Sequence, residues 1–401
     1  MIHTNLVKMR KIITIISCSL LAVSLISYTF TGCNKASDNV PEGSGETDVQ
    51  HVEQSTNAVI NDKEEKWCEI IMLGDNPSFL KLLGGRQALT DKGVTCDWSC
   101  DGIEFNAECE GDIAVKVDII AGSGCYFKVY IDGKEWQNGK SPYYVCFADF
   151  EEGFVIKDIP SGTHNIRIVK ATGYTLARAE LLSIQFENGA PVAEAPADKE
   201  LFIEYVGDSI FCGWGVVKSL SGAYNGTYQS QDGTLAIPYL LSEELDADYS
   251  VIAVSGQGAA WGDPNIENAY KYASFARDRT NEYDFERKAD IVVVNVGTND
   301  CASAGAVSPD AFAVAYKRML GYIRDKNGED CIIIAVYNMM NDGYGTEIEK
   351  IIDELGGTEE NYYVLKADRC SKVLSNAGHP TARENEVYSQ VIGNMIKSII
   401  E

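Results

Sequence analysis

The sequence is short of basic residues and of histidine. It has 34 lysines and arginines against 59 aspartates and glutamates, a formal net charge of −25, and four histidines among 401 residues. No basic cluster stands out beyond the N-terminal segment, so we do not expect nucleic acid as a partner. Because histidine is scarce, a histidine that acts as a catalytic base must be one of very few side chains.

Cysteine is less scarce, but its spacing does not indicate a metal site. Among the 12 cysteines, Cys96 and Cys100 lie close together and lack a matching pair of cysteine or histidine ligands. We therefore expect no metal and no cofactor. Disulfides are permitted if the chain is exported, although spacing does not dictate their pairing in a chain of this size.

The N-terminal segment has the pattern of an export signal. Three basic residues among the first eleven precede an apolar stretch, residues 12–26, which is short and interrupted by serines, unlike a membrane-spanning helix. Residues 30–33, Phe-Thr-Gly-Cys, resemble the bacterial lipobox. The resemblance implies lipidation at Cys33 and an extracytoplasmic protein that contacts the membrane only through this anchor.

Composition divides the rest of the chain. Its length favours two folded domains. After the signal and lipobox, residues 1–33, we expect a polar and acidic disordered tether at 34–63. Residues 64–187 have short strand-like runs and frequent turns, which are typical of a β-sandwich of the jelly-roll type. A linker with prolines and small residues, 188–199, precedes a second domain at 200–401.

The second domain alternates strand-like and helix-like segments. This alternation predicts an α/β fold, a doubly wound parallel sheet with helices on both faces. The predicted strands are 201–206, 251–255, 291–296, 331–336 and 362–365, and the predicted helices are 232–245, 308–324, 347–355 and 383–400.

A Gly-Asp-Ser sequence ends the first of these strands and makes Ser209 a candidate nucleophile. Taken alone the tripeptide is ordinary turn composition. However, chemistry in open parallel sheets gathers at the carboxyl ends of strands. Three further residues stand at or after candidate strands: Gly256, Asn299 in a Gly-Thr-Asn-Asp sequence, and His379 before a proline.

These four segments, in this order, resemble the SGNH hydrolases, also called GDSL-type. The segments 207–215 and 255–258, with a β-rich domain before the hydrolase, are similar to carbohydrate esterase family 2 in particular. The resemblance implies an acyl-enzyme mechanism with Ser209 as nucleophile and His379 as base.

The resemblance also assigns an oxyanion hole. Its donors are the backbone N–H groups of Ser209 and Gly256 and the side-chain amide of Asn299, which donates without bringing a full charge into the site. The histidine inventory agrees with His379 as the base, because His51 falls in the tether and His164 in the sandwich.

One position departs from the family pattern. SGNH enzymes usually carry an aspartate three residues before the histidine, and this chain has Asn376 there. An amide oxygen can orient the imidazole but cannot offset imidazolium charge as a carboxylate would. A Ser-His dyad, with Asn376 or a backbone carbonyl as the orienting group, is the favoured hypothesis. A degenerate site is the alternative, and Asp368 is a less favoured substitute.

The leading functional hypothesis is a serine esterase that removes O-acetyl groups from a plant polysaccharide such as acetylxylan or acetylated mannan. A GDSL-type lipase or thioesterase would use the same residues, and the asparagine at 376 keeps a non-catalytic glycan-binding lipoprotein open. Trp261, five residues after Gly256, is a candidate platform under a sugar ring, with simple packing as its alternative role. The oligomeric state is left open.

Overall fold

A computed structural model describes residues 67–75, 77–148, 153–217, 230–263, 265–274, 282–302, 307–371 and 378–401. The predicted export signal, the lipidation site Cys33 and the tether at 34–63 lie outside the described residues. None of the described helices is long and apolar enough to cross a membrane.

The first part of the described chain is an antiparallel sheet. Its strands run in the order β1-β9-β4-β8-β5-β6, and β2, β3 and β7 add to β4, β9 and β5 respectively. The bounds are β1 Ile71–Met72, β2 Lys81–Leu83, β3 Val94–Cys96, β4 Gly102–Gly122, β5 Gly124–Ile131, β6 Lys134–Trp136, β7 Tyr144–Phe147, β8 Phe154–Lys170 and β9 Ala177–Pro191.

Long strands with alternating burial build the core of this sheet. In β4 buried and more exposed side chains alternate, and β4 pairs with β8 on one side and with β9 on the other. The short strand-like runs of the sequence include 103–109 and 113–120, which predict two strands, but the structure joins both runs in β4. Its register shifts around Gly111, which has a φ of +87°, so a β-bulge lets the strand bend without ending.

The second part is a parallel sheet in the order β11-β10-β12-β13-β14. The strands are β10 Leu201–Gly207, β11 Ala247–Ala253, β12 Ile291–Asn295, β13 Ile332–Tyr337 and β14 Tyr362–Lys366. The helices are α1 Ile237–Glu244, α2 Ile266–Ala269, α3 Thr298–Ala302, α4 Pro309–Asn327, α5 Gly345–Glu354 and α6 Ala382–Ile400. The short helices α2 and α3 were not predicted.

Helices cover both faces of the parallel sheet. Residues of α2, α4 and α5 share one buried cluster with β12, and residues of α1 and α6 share another with β10 and β11. The predicted fold class, an α/β domain preceded by a jelly-roll-like β domain, is therefore confirmed. The next two strands of the chain, β11 and β12, lie on opposite sides of β10, so the carboxyl end of β10 opens a crevice suited to a binding site.

Both sheets belong to a single compact unit. Gly84, which follows β2, forms a bridge with Ser250 of β11, so the sandwich covers the edge of the parallel sheet. Strand β9 also extends to Pro191, so the first four residues of the predicted linker are in a strand.

Complementary charge joins the two parts. Four basic side chains of the sandwich each meet an acidic side chain of the α/β domain. The pairs are Lys81 with Asp248 at 2.8 Å, Arg86 with Glu204 at 2.8 Å, Lys128 with Asp232 at 2.9 Å, and Arg167 with Glu243 at 2.6 Å.

Arg86 and Glu204 are the most deeply buried of these pairs, with side chains 0% and 1% exposed. Burial lowers the pKa of Arg86, but the charge of Glu204 opposes this, and the net shift is upward. The guanidinium also lies over the rings of Tyr270 and Tyr283, 4.4 and 4.3 Å from their centroids.

Candidate active site

Ser209 and His379 meet at the carboxyl end of β10. Ser209 lies two residues beyond the strand, in a turn closed by a hydrogen bond from the Trp214 N–H to its carbonyl, 2.9 Å. Its Oγ is 2.8 Å from Nε2 of His379. This distance suits proton transfer from the hydroxyl to the imidazole, so the pair can act as nucleophile and general base.

The start of α6 fixes the position of His379. Thr381 caps this helix, and Glu384 completes a capping box with it. On the other side, the Cys370 thiol donates to the carbonyl of Gly378 at 3.1 Å. Asn376 lies outside the described residues, so its role as the orienting group remains a prediction.

The predicted oxyanion donors come from the two strands beside β10. Gly256 follows β11 and has a φ of +83°, which favours glycine because it lacks a Cβ. Asn299 lies in α3, directly after β12. Ser209, Gly256, Asn299 and His379 all line one cleft of about 500 Å³.

The amide of Asn299 already has partners in this cleft. Its Nδ2 donates to the carbonyl of Gln257 at 2.8 Å and to Oδ2 of Asp208 at 3.1 Å. An amide nitrogen carries two hydrogens, so an oxyanion would have to take one of them from Gln257 or Asp208. Asn299 therefore links the nucleophile turn to the segment that contains Gly256.

Asp208 is a site residue that the sequence reasoning did not single out. Its carboxylate is fully buried and accepts the Ile210 N–H at 3.0 Å. Burial raises the pKa of Asp208 to about 7, the Ile210 N–H opposes this shift, and the charge of Asp300 adds to it. The sequence signal that could have identified Asp208 is a charged residue directly after a buried strand.

The aromatic residues near the strand ends have different environments. Trp214 lines the cleft, together with Met340, whereas Trp261 is not among the described residues of its lining. Tyr205 is buried with its hydroxyl 3.0 Å from Ser242 Oγ, and so belongs to the core. The sugar platform at Trp261 stays a prediction.

A parallel sheet with a serine-histidine pair and candidate oxyanion donors at its strand ends is the arrangement that acyl transfer by a serine nucleophile requires. Residues 205–359 match the model of the GDSL-like Lipase/Acylhydrolase family, so the α/β part of this chain contains a GDSL-like lipase/acylhydrolase domain.

Known proteins resemble more of the chain than this domain. The cellulase/esterase CelE of Acetivibrio thermocellus is 28% identical over 283 residues, which cover 68% of this chain and 33% of that protein. The chain thus spans about a third of the length of that relative.

Two solved structures have a similar fold over both parts. A family two carbohydrate esterase from Clostridium thermocellum, in complex with cellohexaose, is 21% identical with a TM-score of 0.71, covering 80% of this chain and 99% of its own. An acetyl xylan esterase from the rumen bacterium Butyrivibrio proteoclasticus is 14% identical with a TM-score of 0.71, covering 83% and 99%.

Proposed function

We propose that this protein is a carbohydrate O-acetyl esterase that acts on an acetylated plant polysaccharide, such as acetylxylan or acetylated mannan, through a Ser-His mechanism. The 2.8 Å contact between Ser209 Oγ and His379 Nε2 in an open cleft carries the proposal. The similarity in fold to carbohydrate esterases and the relative described as a cellulase/esterase support a sugar ester as substrate.

The reaction is an acyl transfer in two steps. Ser209 Oγ attacks the acetyl carbonyl while His379 takes its proton, and the tetrahedral oxyanion is held by the donors of the cleft. The bond between the acetyl carbon and the sugar oxygen then breaks, His379 gives its proton to that oxygen so that the sugar leaves as an alcohol, and an acetyl-serine remains. Water then attacks this ester with His379 again as base, releasing acetate and restoring the Ser209 hydroxyl.

The cleft favours a short acyl group over a long one. Trp214 and Met340 are the large apolar side chains among the described residues of its lining, and the rest are small or polar. A long acyl chain needs a continuous apolar wall, which these two residues do not provide. The net charge of −25 also favours a neutral glycan over a polyanionic substrate.

The retained Ser-His contact argues against a purely glycan-binding protein. A site that had lost its function would have no need to keep the serine and histidine aligned across 170 residues of sequence. Measured activity distinguishes a working Ser-His dyad, oriented by Asn376 or a backbone carbonyl, from a site that only binds glycan.

We expect the mature protein to release acetate from acetylated xylan or glucomannan. Ser209→Ala and His379→Ala should each lower kcat by about 10⁴-fold or more, because each removes a group that forms or breaks the acyl bond. His164→Ala is the matched control, since this histidine bonds Asp132 in the sandwich at 2.8 Å and should leave kcat unchanged. Faster hydrolysis of a long-chain p-nitrophenyl ester would indicate a lipase instead.

We further propose from the sequence that the protein is a surface lipoprotein anchored at Cys33. The lipobox-like residues 30–33 and the polar stretch 34–63 support an anchor with a tether that gives the esterase reach. Fractionation of expressing cells should find the protein with the membrane and Cys33→Ser in a soluble fraction. Equal distribution of both would contradict the anchor.

A further inference from the structure

We propose that Asp300 is a positioning residue that sets the geometry of the oxyanion hole through the loop after β11. This inference rests on the proposed function, because it assumes that Gly256 and Asn299 stabilise an oxyanion. Asp300 is fully buried in α3, next to Asn299. Residues 256–261 form this loop, the Gly256 loop.

The Asp300 carboxylate accepts three consecutive backbone N–H groups of this loop. Its Oδ2 accepts from Ala259 at 2.8 Å, and its Oδ1 accepts from Ala260 at 2.8 Å and Trp261 at 2.9 Å. Successive N–H groups that converge on one point form an anion-binding concavity. Here the anion is a side chain of the protein itself.

The Asp300 carboxylate also packs directly against the backbone at Gly258. A Cβ built on Gly258 would lie 2.2 Å from Asp300 Oδ2, so the loop backbone must approach the carboxylate at a residue without a side chain. The segment that leads from β11 into the loop is bonded to the nucleophile strand, because the Val254 N–H donates to the Gly207 carbonyl at 3.2 Å.

Asn299 and Asp300, two consecutive residues of α3, thus hold the loop on both sides of Gly258. Asn299 donates to the Gln257 carbonyl at 2.8 Å, and Asp300 accepts from residues 259–261. The two proposed donors from different strands, Gly256 and Asn299, are therefore fixed relative to each other by a single short helix. An oxyanion hole depends on donors that are in place before charge develops, so such a link acts on kcat.

Asp300→Asn tests this role. An asparagine keeps one acceptor oxygen and turns the other position into a donor that faces a backbone N–H of the loop. We expect kcat for p-nitrophenyl acetate to fall by about 10- to 100-fold, somewhat less than the loss of one oxyanion donor, while KM changes by less than about threefold. The rate of Ser209 labelling by a fluorophosphonate should fall in parallel.

The control is Asp248→Asn, a mostly buried carboxylate of the same sheet that lies at the opposite end of the strands and accepts the Lys199 N–H at 2.9 Å. It should lower the unfolding temperature and leave kcat unchanged. Gly258→Ala is a second variant in case Asp300→Asn does not fold. Its methyl group pushes against the carboxylate, so it should reproduce the selective loss of kcat.

A double-mutant cycle with Asn299→Ala separates positioning from general stability. If Asp300 acts through the oxyanion hole, Asp300→Asn costs much less kcat once Asn299 is absent. Additive losses, or a lower unfolding temperature with unchanged kcat and labelling rate, would overturn the inference. If acetylated glycans are not substrates, the proposed function fails, yet Ser209 labelling still reports on Asp300.

Discussion

The sandwich and the parallel sheet place their polar side chains differently along the strands. In β4 of the sandwich, exposed polar residues alternate with buried ones over 21 residues, so polarity is spread along the strand. In β12 of the parallel sheet all five residues are buried, and the polar residues come at its carboxyl end, where Asn299 and Asp300 follow. A strand buried on both faces confines its chemistry to its ends.

The difference explains why the candidate site belongs to one part of the molecule. The strand ends of the parallel sheet bring together residues from four separate segments of sequence. The sandwich instead directs its buried cations, Lys81, Arg86 and Lys128, at carboxylates of its neighbour. The buried cations of the sandwich hold the two parts together. The polar residues at the strand ends of the parallel sheet instead shape a cleft.

The largest effect should come from breaking the contact between the two parts at Arg86. Arg86→Met leaves the Glu204 carboxylate buried without its cation, which should lower the free energy of unfolding by about 3–5 kcal/mol. Denaturant titration of the purified wild-type and variant proteins measures this loss of unfolding free energy. Replacing both residues, as Arg86→Met with Glu204→Leu, should recover part of it, because no unpaired charge then remains buried.

Arg167→Met is the matched control for that experiment. Its partner Glu243 is 43% exposed, so water solvates the carboxylate when the arginine is lost. We expect a cost of about 1 kcal/mol or less. Equal losses of unfolding free energy in the Arg86 and Arg167 variants would show that burial of an ion pair does not determine how much it stabilises the contact between the two parts.

The pH dependence of stability should also differ between the two parts, because they titrate in different windows. Burial raises the pKa of Asp208 to about 7, so the folded state retains a proton that the unfolded chain loses near pH 4. The free energy of unfolding should therefore fall as the pH rises from about 4 to about 7, by at most about 1.4 kcal/mol per pH unit. Asp208→Asn should remove this slope.

In the sandwich, a hydrogen bond to Asp132 raises the pKa of His164. A raised histidine pKa gives stability that is complete below the unfolded value near 6.5 and is lost as the pH rises through the folded value. His164→Gln should remove this loss at higher pH while the slope between pH 4 and 7 persists. A slope below pH 7 that survives Asp208→Asn would show that other carboxylates cause it.

Local sequence patterns were enough to predict the fold class and the candidate catalytic residues. The runs 201–206 and 291–296 differ from the observed strands β10 and β12 by a single residue each, because continuous apolar strands have a clear pattern. Scarcity of histidine pointed to His379, and the Gly-Asp-Ser sequence pointed to Ser209. Both rest on local composition, which needs no knowledge of distant contacts.

The contacts that hold these residues in place become visible only in the folded structure. Asp208 and Asp300 look like ordinary turn residues in the sequence, and their roles arise from partners up to 91 residues away, Asn299 and the Gly256 loop. The salt bridges between the sandwich and the α/β domain likewise join residues with no sequence signal in common. The local pattern of apolar residues indicates which face of a strand is buried. The hydrogen-bond partners of a buried carboxylate depend instead on which strand ends the folded sheet brings together.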